Sequence, residues 1–426
     1  MLNTKYVKDH LQEIRKSLEK RKSDYPLDEL LEVDEEAKKI NLEIQKLRED
    51  RNRGSAVIAA EAKAGKKPEK GKVERLAAVK EKIAELEAKA KEYDENVEKL
   101  LWNMPNMLHE SVPYGKSGDD NQVVRKVGTP VPRKEPSHDE TLVKMGMLEM
   151  EQAAEVSGAR FYYLKGEMVL LEQALIRFSI DLLCKKGFVP VSPPFMLKRK
   201  YYKGATALGD FEEALYGVVD EKGMESDEDL FMISTSEHPI AAMHAGKIFS
   251  AKDLPMKYAG ISPCFRREAG SHGKDTKGIF RVHQFYKVEQ FAVTKEEDSW
   301  KMLDELLGNV EEIFKKLGIP YRIVNICTGD IGIVAAKKYD LEAYMPAQDR
   351  YREMASCSNC TDWQSIRLGI RYDEANERKY AHSLNCTALA TTRTMVAIIE
   401  NYMNEDGSIS IPGVLQPYMG GKKRIG

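Results

Sequence analysis

The apolar positions of the first hundred residues fall on two helical stripes. From Leu27 onward, Val33, Ala37, Ile40, Ile44 and Leu47 step by four and three, and Leu76, Val79, Ile83, Leu86, Ala90, Tyr93, Val97 and Leu100 repeat the pattern. Such spacing gives each of two helices one narrow apolar seam. Between them, Gly65-Lys-Lys-Pro-Glu-Lys-Gly71 is poor in helix formers and breaks the pattern. An antiparallel two-helix hairpin satisfies both seams, and about 30 residues per helix make an arm roughly 45 Å long.

The pattern changes after residue 100. The prolines and GKSGDD turn of Leu100–Gly128 predict a connector with extended structure. Helical spacing then predicts helices over His138–Met150, Glu151–Gly158, Met168–Lys186 and Trp300–Leu317, and another opening near Leu389. Short strands are predicted at Phe161–Leu164 and Tyr321–Asn325, and Gly187–Met196 reads as extended chain ending in two prolines. Strand-like alternation flanks AGSHGKDTKG, a polar stretch with three glycines and two lysines, which predicts an antiparallel hairpin with a long mobile tip.

Alternation sends Arg266 and Glu268 to one face of the first strand of that hairpin. On the second it puts Arg281, His283, Phe285, Lys287 and Glu289 on one face, and Phe280, Val282, Tyr286 and Val288 on the other. A face with two arginines, a histidine, a lysine and two glutamates is a poor core. It is either a solvated sheet face or a sheet that carries a site. As a site, its arginines would grip phosphate, Phe285 would offer a flat apolar platform and Glu289 would hold a cationic or hydroxyl group. Roughly 13 Å of strand separates Phe285 from Glu289, room for a nucleotide base at one end and a small polar group at the other.

Charge changes the picture mainly in the arm. Across 426 residues, 66 basic and 68 acidic side chains nearly cancel, so a polyanion must be met by a local patch. Lys46–Arg75 supplies one candidate, with ten lysines and arginines against five acids. Such charge suits an ordinary solvated coiled coil and equally a contact with nucleic-acid phosphate. The N-terminus has no apolar signal core and no apolar run reaches membrane-spanning length, so a soluble cytoplasmic protein is expected. Six scattered cysteines (184, 264, 327, 357, 360 and 386) argue against a disulfide framework. The one CxxC, Cys357–Cys360, lacks a second ligand pair in sequence, so thiols are expected there and no structural zinc. Thr235-Ser236-Glu237, ahead of His238-Pro239, reads by spacing as a helix cap.

The run FRREAGSHGKDTKGIFRVHQFYKVEQF resembles motif 2 of the class II aminoacyl-tRNA synthetases, in the form found in seryl-tRNA synthetases. GFVPVSPPFM resembles motif 1, with Pro194 at its hallmark proline, and LNCTALATTRTMVAIIENYMN resembles motif 3. The resemblance covers essentially the whole chain. It implies an α+β protein: a long antiparallel two-helix coiled-coil arm plus a class II catalytic domain on an antiparallel β-sheet flanked by helices. The domains implied are 1–104 for the arm, 105–135 for a linker and 136–426 for the catalytic part.

The resemblance also implies an activity. L-Serine and ATP would give seryl-adenylate, and the seryl group would pass to the 3′ end of tRNA(Ser); whether tRNA(Sec) is a second acceptor stays open. Arg266 and Arg393 would be catalytic, neutralising the transferring phosphate. Thr235, Glu237, Arg266, Glu289, Asn385 and Thr387 would bind serine, with Glu237 clamping its amine. Arg266, Glu268, Arg281, Val282, Phe285, Glu353, Ser356 and Arg393 would bind ATP, with Glu353 and Ser356 also on Mg²⁺. The arm would meet tRNA through Arg48, Arg51, Arg53, Lys63, Lys66, Lys67, Lys70, Lys72 and Arg75, and motif 1 would build a homodimer.

Two departures from the family are visible. Gln364-Ser-Ile-Arg367 replaces the usual QxRR and is expected away from the ATP site, and Cys386-Thr387 replaces a Gly-Ser found in many bacterial members. The basic, glycine-rich end GGKKRIG is expected to be mobile. Competing readings are a related ligase for another amino acid or a carrier protein, an RNA-binding scaffold with a dead catalytic fold, and the zinc-dependent seryl branch. Amino-acid-dependent pyrophosphate exchange separates the first two, and metal analysis the third.

Overall fold

The computed structural model describes residues 4–65, 67, 69–133, 137–207, 212–219, 223, 226–268 and 278–426. They form two compact units, Met1–Pro105 and Asn106–Gly426. In the first, α1 (Leu27–Lys63) and α2 (Lys70–Trp102) follow two short helices, Thr4–Asp9 and Leu11–Arg21. Leu30, Ala37 and Ile44 of α1 and Ile83, Leu86 and Ala90 of α2 are buried. Ile44, Leu86 and Ala90 form one cluster, with Ile40 and Leu47 packed on it. Arg48 crosses to Glu87 at 2.7 Å and Lys72 crosses to Glu61, so the helices run antiparallel with residues summing to about 134 opposite one another. The rest of the second stripe, from Leu76 and Val79 to Tyr93, Val97 and Leu100, is only half-buried. Gly54 allows close approach toward the tip, since a Cβ there would lie 3.1 Å from Leu76 Cδ1.

The second unit is built on an eight-stranded sheet. Its strands are β1 (Gln122–Val127), β2 (Val189–Val191), β3 (Met256–Phe265), β4 (Gln284–Thr294), β5 (Tyr321–Asn325), β6 (Lys337–Met345), β7 (Arg350–Asn359) and β8 (His382–Ala390). Their order is β1-β5-β6-β7-β8-β4-β3-β2, antiparallel throughout except for the β2–β3 pair. Helices α3 (Glu167–Lys185), α5 (Ser299–Leu317) and α6 (Thr391–Tyr402) belong to one core with it, and a shorter helix, α4 (Glu237–Met243), packs elsewhere. Leu171, Leu175, Leu306, Val310, Met395 and Ile399 share that core with Val288, Ala292, Ile323, Leu341 and Leu384 of the strands. Each leucine, isoleucine, valine or methionine among them, fully withdrawn from water, contributes about 1.5–3 kcal/mol.

Several expectations shift in detail. The extended stretch 122–127 is an edge strand of the main sheet, held to β5 and by Arg125 Nε donating 2.9 Å to Glu311. The helix foreseen over His138–Met150 stops at Lys144; Gly146, at φ 69°, turns the chain, and Leu148–Glu149 pairs with Tyr163–Leu164. The helix foreseen near Leu389 begins at Thr391, because the nine residues before it are a wholly buried strand. The C-terminal GGKKRIG is ordered, against expectation. Ile425 pairs with Ile409 and is fully buried, and the Gly426 N–H donates to Glu167 at 3.4 Å. One large apolar residue outweighs the local polarity. Among the described residues, no helix is long and apolar enough to cross a membrane.

Candidate active site

A cavity of about 330 Å³ lies on one face of the second unit, and three residues of β4 line it in a row: Phe285, Lys287 and Glu289. The period of two foreseen in sequence is what aligns them. On the opposite face Val288 and Ala292 enter the main core. Beyond Glu289 the cavity face itself turns apolar: Phe291 and Val293 join Ile240 and Tyr372 in a second cluster and seal that end. The hairpin is shorter than its alternation suggested. Pairing ends at Phe265 opposite Gln284, so Arg266, Glu268, Arg281 and His283 lie past the strands and have no strand face. Arg266 N–H still donates to the His283 carbonyl at 2.9 Å, and Glu268, at φ 50°, then turns the chain out of extended conformation. Residues 269–277, where a mobile tip was expected, lie outside the described residues.

At the sealed end, two carboxylates converge. Glu289 is 1% exposed; its Oε2 accepts from Thr387 Oγ1 at 3.0 Å and pairs with Lys287 Nζ at 2.5 Å. Glu237 opens α4 and accepts from Gln364 Nε2 at 2.8 Å and Asn385 Nδ2 at 3.1 Å. Desolvation, followed by the charge of Glu289, pushes the Glu237 carboxyl up to about 7, against the pull of Lys287 and Arg266. The capping expectation holds only in part. Thr235 Oγ1 accepts from the Glu237 N–H at 3.3 Å, but Ser236, at the N-cap position, makes no side-chain cap and Glu237 faces the cavity. Next to it His238 is neutral, its imidazole lowered to about 3 by burial and then by Lys287 and Arg266.

The other end is cationic. Arg266 donates from Nε to the Ser234 carbonyl at 3.3 Å, with its guanidinium 5.4 Å from the centre of the Phe285 ring. Arg393, in the first turn of α6, donates to the Glu353 carbonyl at 3.0 Å and lies 3.5 Å from its carboxylate. Desolvation acts to raise the Glu353 carboxyl, but Arg393, Lys338, Arg266 and Arg281 outweigh it and hold the group below the usual range. Ser356 lines the cavity and sits opposite Asp340 across β6–β7. Burial raises the Asp340 carboxyl, and one of its oxygens has no hydrogen-bond partner, so hard oxygen donors cluster beside Glu353. That donor set suits a divalent cation such as Mg²⁺.

Of the remaining site residues, Glu268 and Arg281 form an ion pair at 3.3 Å, outside the cavity lining. Val282 buries its side chain in the main core, which leaves its main chain to meet a ligand. Cys357 and Cys386 face each other across β7–β8, and Asn385 Nδ2 approaches the Cys360 sulfur at 3.5 Å. Burial, then nearby Glu237, holds that thiol well above its usual range. Among the described residues no group of three or more His, Cys, Asp or Glu is placed to hold a metal ion. On the arm, Arg48, Arg53, Lys70 and Lys72 each have an acidic neighbour, and Arg51 donates to Asn52. Lys63, Lys67 and Arg75 are exposed, and Lys66 lies outside the described residues.

Sequence reasoning missed three participants. Lys287 was placed on the right face without a role. Gln364, expected away from the ATP site, supports Glu237 from 127 positions further along the chain. Asp340 stood in no motif, and only its register opposite Ser356 reveals it.

Comparison with known proteins bears on this geometry. Residues 1–108 match the seryl-tRNA synthetase N-terminal domain, and residues 218–402 the class II tRNA synthetase core domain (G, H, P, S and T). The chain is 47% identical over 429 residues to the serine–tRNA ligase of Methanocella arvoryzae, covering 99% of each. Its structure is similar to that of seryl-tRNA synthetase from Pyrococcus horikoshii complexed with ATP, with a TM-score of 0.91, 43% identity and coverage of 100% and 99% of the two chains. It is also similar to the cytoplasmic serine–tRNA ligase of Naegleria fowleri in complex with AMP, with a TM-score of 0.85, 39% identity and coverage of 97% and 95%.

Proposed function

The chain belongs to the seryl-tRNA synthetases, class II enzymes that join serine to tRNA, and on that premise we propose how its cavity divides the work. ATP lies along the cationic end. Its adenine stacks on Phe285, its α-phosphate meets Arg266, and Arg393 takes charge from the outer phosphates. Glu268 and the Val282 main chain face the adenine end, while Arg281 serves the γ-phosphate. Serine occupies the sealed end. Glu237 takes its ammonium group and Glu289 its hydroxyl, with Thr235, Asn385 and Thr387 completing the pocket. The observation that carries this reading is the polarity of the cavity: two converging carboxylates at one end, an arginine over an aromatic ring at the other.

Activation needs no protein nucleophile. A serine carboxylate oxygen attacks the α-phosphate in line and pyrophosphate leaves; the site contributes alignment and fixed positive charge. Glu353 and Ser356 would hold Mg²⁺, which neutralises phosphate charge when bound. The acyl group then passes to the terminal ribose of tRNA(Ser), gripped through the basic half of the arm. The proposed division is arm 1–104, connector 105–135 and catalytic part 136–426, in a cytoplasmic homodimer formed through motif 1. Pyrophosphate exchange with each of the twenty amino acids tests the core of this reading. Exchange should depend on serine alone and vanish in Arg266→Ala, and strong exchange with another amino acid would overturn the serine pocket.

A further inference from the structure

We propose that Lys287 is a further catalytic residue of serine activation, its ammonium receiving the serine carboxylate and neutralising it as it attacks the α-phosphate. This rests on the cavity reading above. The geometry that carries it is the row on β4. Phe285, Lys287 and Glu289 line one cavity from one strand face, in steps of about 6.8 Å. If the base stacks at one end and the serine side chain is held at the other, the middle residue stands where nucleophile and electrophile meet. Both are anions there.

In the reading above the other arginines lining the cavity serve phosphate, and each of the other cations already has a protein neighbour. Arg266 is tied to the Ser234 carbonyl beside Phe285, Arg393 to Glu353, and Lys338 stands 3.9 Å from Asp340. Lys287 instead points along its own strand to Glu289. It is 5% exposed, and an ammonium so withdrawn from water needs an anion at all times. Glu289 supplies one in this structure, yet Glu289 does not depend on Lys287 alone, because Thr387 also donates to it. The lysine can therefore turn toward an arriving carboxylate without stripping Glu289 of every partner. In the step itself a carboxylate oxygen forms a bond to the α-phosphorus. The bond to the bridging oxygen breaks, and its electron pair leaves with pyrophosphate. No proton moves, and Lys287 stays charged throughout.

The simpler alternative is that Lys287 only balances Glu289. L-Serinamide separates the two, since it keeps the ammonium and hydroxyl groups but lacks the carboxylate. Dissociation constants for L-serine and L-serinamide are measured by calorimetry on the full chain, with pyrophosphate-exchange kinetics alongside, for wild type, Lys287→Met and Lys287→Gln. We expect the variants to lose about 10²–10³-fold in exchange kcat, a loss typical of a missing charge-stabilising donor. Their affinity for serine should fall about tenfold or more beyond any change in their affinity for serinamide, as expected for a lost contact to a charged group. Equal weakening of both ligands, or unchanged exchange, overturns the proposal. Lys287→Gln keeps a donor for Glu289, so it carries the comparison if the methionine variant fails to fold. If neither folds, Lys287 is structural and the proposal falls. Serine-dependent exchange by wild type and its loss in Arg266→Ala report separately on the cavity reading.

Discussion

In the proposed serine pocket, Glu237 would link recognition to pH. Its carboxyl is pushed up to about 7 from an ordinary 4.5, and it must be ionised to hold an ammonium group. The KM for serine should therefore rise as pH falls through 7, by up to about tenfold per unit below it, with little change in the KM for ATP. A pH series of exchange kinetics checks this, and a flat profile between pH 6 and 8 would contradict it. Stability should move the other way. Between 4.5 and 7 the folded state binds more protons at this group than the unfolded state, so its contribution falls as pH rises. Glu237→Gln should accordingly lose serine use while melting higher than wild type at pH 8. In the proposed pocket, specificity would rest on Glu289 and Thr387. A pocket built to hydrogen-bond a hydroxyl rejects the analogue lacking it by about 10⁴. Alanine should be activated orders of magnitude less well than serine, and Glu289→Ala should lose serine while ATP binding persists. At this scale the row on β4 was legible, because a strand's period of two is written in adjacent residues. The support for Glu237 was not: Gln364 and Asn385 reach it across 127 and 148 residues, a distance no local pattern spans.

Among the elements, length decided what could be read in advance. The arm helices span 37 and 33 residues, enough turns for a seam to repeat visibly. The strand at Arg424–Ile425 has two residues and no period at all, so its basic neighbours suggested a loose end. Ile425 is fully buried in the main core. Replacing it with Ala should cost about 2–5 kcal/mol, the usual range for emptying a core site of this size. Urea denaturation would show a lower midpoint with an unchanged slope. A variant as stable as wild type would mean the C-terminal pairing contributes nothing. Strand ends were misjudged for a related reason. Arg266, Glu268 and Arg281 alternate as a strand would, yet the chain leaves extended conformation at Glu268, where φ is 50°.

For the molecule as a whole, the hairpin offers a clean division. Arg48 opposite Glu87 and Ile44 beside Ala90 fix the register, so residues 38–96 can be replaced by a short glycine linker at the base of the arm. Serine-dependent exchange should persist at a similar rate, since all proposed activation residues lie beyond residue 234. Aminoacylation of tRNA should collapse. In the intact enzyme, tRNA affinity should fall steeply with salt, whereas exchange should respond weakly. The exposed ion pairs on the arm are no obstacle, being worth about 0–1 kcal/mol and easily traded for phosphate. Efficient charging by the armless variant would refute the arm's role. The two-helix arm could be read from the chain alone. The sheet order could not, because neighbouring strands such as β8 and β4 lie about a hundred residues apart, and the resemblance implied only that the sheet is antiparallel.

The scattered origin of the sealed end has a cellular meaning. Thr235 and Glu237, Glu289, Gln364, and Asn385 with Thr387 come from four separate stretches of chain and meet only when β4 and β8 have paired and two helices have docked beside them. If these residues recognise serine as proposed, recognition is a readout of folding in the catalytic part. A copy still being synthesised, or cut off before Asn385 and Thr387, would lack the pocket and fall silent; it would not go on charging tRNA with the wrong residue. For an enzyme whose mistakes would be copied into every other protein, failing mute is the safer way to fail.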